Sequence, residues 1–126
     1  MSRKQALVLI VEDDALVAMD AADSVSCAGV EAVTVESVTD AIGILEREDI
    51  SAAILDFHVR DGTVTPLIER LSERHIPYRV VTGSPAAELA AGGVPLDLCA
   101  RKPADYLAIV GALVGIGPGH SPPASR

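Results

Sequence analysis

Residues Ala6 to Val11 are apolar without interruption, and three acids, Glu12, Asp13 and Asp14, follow them directly. A surface helix would show a polar face within such a stretch, and a strand wetted on one side would alternate. A short unbroken apolar run that stops at charges reads instead as a strand buried on both faces. Strands of that kind belong to parallel sheets held between helices, so this segment points to an α/β architecture.

The remainder of the chain repeats the theme. Asp14 to Ala28 carries Leu16, Val17, Ala21 and Val25 at helical spacing, with Asp14 as cap and Gly29 as stop. Val30 to Val35 reads as a second strand. Ser37, with Asp40 three residues on, opens a helix in a variant of the capping box, and Ile42, Ile44 and Leu45 face its core. Ala52 to Leu55 is a third buried strand. A polar stretch from Asp56 to Gly62 leads into a helix with the apolar stripe Val64, Leu67, Ile68 and Leu71, and Pro66 lies in its first turn, where no N–H is needed. Tyr78 to Thr82 forms a fourth strand, and Ser84 to Ala91 a short Ala-rich helix ended by Gly92-Gly93. Leu96 to Ala100 is a fifth strand, and Ala104 to Val114 the last helix.

Five strand–helix units in strict alternation, joined by right-handed crossovers, give a five-stranded parallel sheet with helices on both faces and a short or irregular fourth helix. One domain over residues 1–116 is expected, with a flexible Gly/Pro/Ser-rich tail at 117–126. The core must be aliphatic, because the 126 residues include one Phe, two Tyr and no Trp.

Charge and hydropathy exclude several functions. A formal net charge of −8 argues against direct nucleic-acid binding, which needs a basic surface. No apolar run approaches the ~20 residues that span a bilayer, and the N-terminus lacks a secretory pattern. We therefore expect a cytoplasmic protein without membrane insertion. Cys27 and Cys99 are expected as two buried thiols, and His58, His75 and His120 are too scattered to suggest zinc.

Ligands of open α/β sheets bind beyond the carboxyl ends of the strands. Those ends carry Glu12-Asp13-Asp14, Asp56, Thr82-Gly83-Ser84 and Lys102-Pro103. Clustered carboxylates repel one another and make sense around a hard cation such as Mg²⁺, which takes about six oxygen ligands. Asp13, Asp56 and the backbone carbonyl of His58 are candidate ligands, with Glu12 holding a metal-bound water. A carboxylate beside such a cation is a nucleophile toward phosphorus, and Thr82 and Lys102 are placed to bind the transferred oxygens. His58 and Ser84 are candidates for tuning the loss of that group.

This set resembles the receiver domain of response regulators, the CheY-like flavodoxin-type fold. The resemblance rests on Glu12-Asp13 after Leu7 to Val11, Leu55-Asp56, Asp61-Gly62, Val81-Thr82-Gly83 and Lys102-Pro103, and covers about residues 6 to 114. It implies Asp56 as phosphoacceptor, Glu12 and Asp13 as the acidic pair, Thr82 as switch hydroxyl, Lys102 as phosphate-binding lysine and a cis peptide before Pro103. It also implies Mg²⁺ as cofactor, a sensor histidine kinase or phosphotransfer protein as donor, and a downstream protein as reader, since no output domain follows. Ile76 to Gly83 and Arg101-Lys102-Pro103 are further similar to the alphaproteobacterial stand-alone receivers called the FAT-GUY group, which lack the usual aromatic on strand five; Cys99 stands there. The family's proline four residues after the acceptor is Arg60, which adds a charge able to meet a partner or Asp61.

Two rival readings use the same residues. One is a pseudo-receiver that docks proteins without being phosphorylated. The other is a Mg²⁺-dependent phosphohydrolase, but that class places a carboxylate two residues after its aspartyl nucleophile, where His58 stands here. The chain is accordingly read as no enzyme beyond its own phosphorylation and dephosphorylation.

Overall fold

The computed structural model describes residues 6–115; the expected boundary at 116 and the tail lie outside the described residues. Five strands form one parallel sheet: β1 (Leu7–Val11), β2 (Glu31–Val35), β3 (Ala52–Leu55), β6 (Tyr78–Thr82) and β7 (Cys99–Arg101). Their order is β2-β1-β3-β6-β7. The chain leaves β1 toward one edge and returns on its other side as β3, so the direction of winding reverses between β1 and β3. The crevice outside their carboxyl ends is where such sheets bind ligands.

Side chains alternate across the sheet and create two cores. Leu9, Val11, Ala53, Leu55 and Val80 face α2 (Val38–Arg47), α3 (Thr65–Glu73) and α4 (Ala86–Ala91), with Leu45, Leu67, Leu71 and Leu89. Val8, Ile10, Ala52, Ile54 and Val81 face α1 (Ala15–Cys27) and α5 (Tyr106–Val114), meeting Ala21, Val25 and Val110. Because both faces of β1 and β3 are covered, each of their residues must be apolar. The run that stood out in the sequence is thus β1, an interior strand paired with β2 on one side and β3 on the other.

Several expectations are corrected. Leu16, placed on the buried stripe of α1, is 77% exposed, because that stripe is set by Ala21 and Val25. Cys27 is exposed at the end of α1, and only Cys99 is partly buried. The fifth strand is shorter than expected: Leu96–Leu98 form a 3₁₀ turn after Pro95, and pairing with β6 begins at Cys99. The polar stretch after Asp56 contains a small antiparallel hairpin, β4 (His58–Val59) and β5 (Gly62–Thr63). Its tip is tied down by Asp61, which accepts from the backbone N–H groups of Val38 (2.8 Å) and Thr39 (3.1 Å) at the start of α2.

Helix ends follow the sequence closely. Asp14 caps α1 by accepting from the N–H groups of Leu16 and Val17, Ser37 caps α2, and Asp105 caps α5. Gly29 adopts a left-handed φ of +79°, as a glycine stop should. The Lys102–Pro103 peptide is cis, as the resemblance implied.

Candidate functional site

In the sheet register Val11 lies opposite Leu55, so the next residue of each strand, Glu12 and Asp56, emerges side by side at the crevice. Backbone hydrogen bonds hold both: Glu12 donates to the Val35 carbonyl at 3.0 Å and Asp56 to that of Val11 at 2.9 Å. Arg101 pairs with Thr82 on the far side, and Lys102 donates its N–H to the Thr82 carbonyl at 3.1 Å. The Lys102 side chain then reaches back across the crevice. Its Nζ lies 3.0 Å from Glu12 Oε1 and 3.4 Å from Asp56 Oδ2.

Glu12, Asp13 and Asp56 each present a carboxylate oxygen within 4.8 Å of the others. Glu12 is almost fully buried, and its second oxygen accepts from the Asp14 N–H at 3.1 Å. Asp13 is exposed. Burial pushes the Asp56 carboxyl up to about 6, the neighbouring Glu12 charge adds to the rise, and Lys102 opposes it. Burial alone would lower the Lys102 ammonium, but its hydrogen bond to Glu12 and the Asp56 charge hold it above the ordinary lysine value. The site therefore concentrates more negative charge than one lysine balances. It fits a hard divalent cation better than it fits bulk water.

Thr82 is buried at the end of β6, and its hydroxyl oxygen accepts from the Ser84 N–H at 3.0 Å, which leaves the hydroxyl proton for another acceptor. The Tyr106 hydroxyl, unremarked in the sequence, feels the same charges. Burial raises its pKa, Lys102 lowers it, and Glu12, Asp20 and Asp56 raise it.

Two expectations for side chains are redirected. His58 does not turn toward Asp56: its Nε2 lies 2.6 Å from Glu88 Oε2 on α4, and its ring meets Phe57 edge-on. Arg60 pairs with Glu36 rather than Asp61, whose carboxylate is already occupied by α2. Ser84 is held through its backbone, its N–H on Thr82 and its carbonyl accepting from Arg101.

Comparison with known proteins supplies the family. A response regulator receiver protein from Sinorhizobium medicae superposes with a TM-score of 0.77, at 22% identity, over 90% of this chain and 95% of that one. A CheY-like receiver domain from Methanospirillum hungatei gives 0.73 and 21% identity over 86% and 90% of the two chains. SdrG from Pseudomonas melonis, solved in a BeF3-activated conformation, is 31% identical over 89% of this chain and 96% of its own, with a TM-score of 0.65. The chain belongs to the CheY-like response regulator receiver family. No protein-family model and no curated protein matches it. In this receiver the crevice is bounded by the ends of β1, β3, β6 and β7, as the sequence placed it. Among the described residues no helix is long and apolar enough to cross a membrane.

Proposed function

We propose that this receiver accepts a phosphoryl group on Asp56 from the phosphohistidine of a sensor histidine kinase or phosphotransfer protein, as an element of a cytoplasmic two-component relay. The observation that carries this reading is the meeting of Glu12, Asp13, Asp56 and Lys102 at one crevice, with Lys102 3.4 Å from Asp56. An ionised Asp56 oxygen attacks phosphorus, the N–P bond of the donor breaks as the O–P bond forms, and the imidazole leaves with its electron pair and takes up a proton. Lys102 neutralises the phosphoryl oxygens, and the Thr82 hydroxyl donates its free proton to one of them. Mg²⁺ bound by Asp13, Asp56 and the His58 carbonyl, with Glu12 on a metal-bound water, would supply charge neutralisation at those oxygens. Water later attacks phosphorus, releasing phosphate and restoring the carboxylate, so the chain turns over only its own modification.

Access supports the same reading. A depression of about 440 Å³ bounded by Leu16, Asp20, Pro103 and Tyr106 opens onto Lys102, and the exposed Leu16 and Met19 offer a donor apolar contact beside it. The short α4 and Cys99 in register with Val80 support membership of the FAT-GUY group.

The test is incubation with Mg²⁺ and acetyl phosphate followed by intact mass. One added phosphoryl group on wild type and none on Asp56→Asn is expected. No addition to wild type would favour a docking module, and equal addition to the variant would place the acceptor elsewhere.

A further inference from the structure

The residue that follows the acceptor, Phe57, is the sole phenylalanine of the chain and is only 2% exposed. Its ring packs against Gly92, the residue that ends α4. A Cβ built on Gly92 would lie 2.8 Å from Phe57 Cζ and 3.1 Å from Cε1, closer than real carbon contacts allow. Gly92 has φ of −85°, a conformation any residue adopts, so its backbone does not require glycine. The Phe57 ring does. The same junction is pinned by Thr65, whose hydroxyl donates to the Gly92 carbonyl at 2.8 Å, and by Leu89 of α4, which is buried in the same core as Phe57. One residue further along, His58 meets Glu88 of α4 at 2.6 Å. The segment 56–58 and α4 are therefore built against each other, while the strand-five position that would carry an aromatic is Cys99.

We propose that the state of Asp56 is transmitted to α4 through the Phe57–Gly92 contact, with His58–Glu88 as an outer strut. This inference rests on Asp56 being the acceptor and concerns how its modification is read. A buried ring tightly packed on one side cannot shift without moving its neighbour. A change in the Asp56 backbone is thus delivered at the carboxyl end of α4. The His58–Glu88 pair, about half exposed on both sides, is too weak by itself to carry the signal and serves to keep the two segments in register.

The test follows backbone amide signals of the full chain by NMR with and without Mg²⁺ and beryllofluoride. Wild type should show shifts beside Asp56, Thr82 and Lys102 and also across residues 86–93. Phe57→Leu, which replaces the ring with a smaller aliphatic side chain, should keep the shifts at the crevice and reduce those of α4 at least twofold. Gly92→Ala should also uncouple α4, and Phe57→Leu/Gly92→Ala should recover part of the response, since the smaller side chain makes room for the methyl. Undiminished α4 shifts in Phe57→Leu would overturn the relay while leaving Asp56 as acceptor. So would a double variant whose α4 response is no greater than that of Gly92→Ala. Absence of any crevice shift in wild type would instead remove the acceptor reading, and the relay with it.

Discussion

Lys102 and Glu12, ninety positions apart, meet at 3.0 Å between Nζ and Oε1, and neither side chain is free in water. The pair closes the crevice from both sides of Asp56. Because Lys102 also approaches Asp56, one ammonium balances two carboxylates in a partly buried setting, where charges interact more strongly than in bulk water. That imbalance gives the site measurable properties even before any phosphodonor is added.

Replacing Lys102 with alanine removes the cation that, among the described residues, opposes the rise of the Asp56 pKa. The Asp56 carboxyl of metal-free Lys102→Ala should titrate above that of wild type, followed by carbon-13 NMR of the side-chain carboxyl. Incorporation from acetyl phosphate should fall in the same variant. A carboxyl titrating at or below the wild-type position would contradict the described ion pair.

Asp56 itself should destabilise the metal-free protein at neutral pH. Its folded pKa, about 6, lies above the ordinary 3.8, so between those values the folded chain holds a proton that the unfolded chain has lost. Stability then falls as pH rises through that window and stays lower above it. Asp56→Asn should therefore be more stable than wild type at pH 7 in chelating buffer, by on the order of 1–3 kcal/mol, and about equal to it near pH 4. Urea unfolding at the two pH values measures the difference, and a less stable variant at pH 7 would refute it.

Mg²⁺ should stabilise wild type through the three clustered carboxylates. Above its dissociation constant each tenfold increase in free Mg²⁺ adds about 1.4 kcal/mol. Asp13→Asn removes the exposed carboxylate of that cluster without disturbing the buried pair, so its melting temperature should depend much less on Mg²⁺. Equal dependence in both proteins would remove Asp13 from the metal set.

Asp61 joins the hairpin after Asp56 to the first turn of α2 through Val38 and Thr39. Those hydrogen bonds, from the Val38 and Thr39 N–H groups above all, hold its carboxyl below the ordinary value. A depressed carboxylate contributes stability that is present above the unfolded pKa and lost as pH falls through the folded one. Asp61→Ala should accordingly be less stable than wild type at pH 7, with amides of the first α2 turn exchanging faster. The gap should narrow in acid, and a gap independent of pH would point to some other cause.

Much of this receiver could be read along the chain because its signals are short-range. The strands β1 and β3 announced themselves as apolar runs, and Asp14 and Ser37 marked helix starts by chemistry completed within three residues. The 3₁₀ turn at Leu96–Leu98 was missed because Leu-Asp-Leu alternates as a strand would, and only the pairing of β6 shows where the ladder begins. Leu16 fitted a helical stripe by spacing, yet spacing does not say how wide the buried stripe is. The hairpin β4–β5 was hidden in a polar stretch whose order comes from the hold of Asp61 on a different element, the first turn of α2.

The sequence by itself determined the alternation of strands and helices, the aliphatic core and the placing of Glu12, Asp13, Asp56, Thr82 and Lys102 at strand ends. Periodicity and capping are local, and in a parallel sheet every strand end lies on the same side. The tertiary structure alone decided which of these groups meet. Lys102 reaches Glu12 and Asp56, His58 turns to Glu88, Arg60 goes to Glu36, and Phe57 explains Gly92. Such contacts join residues far apart in the chain, and their distances depend on how helices pack on the sheet, which no local pattern encodes.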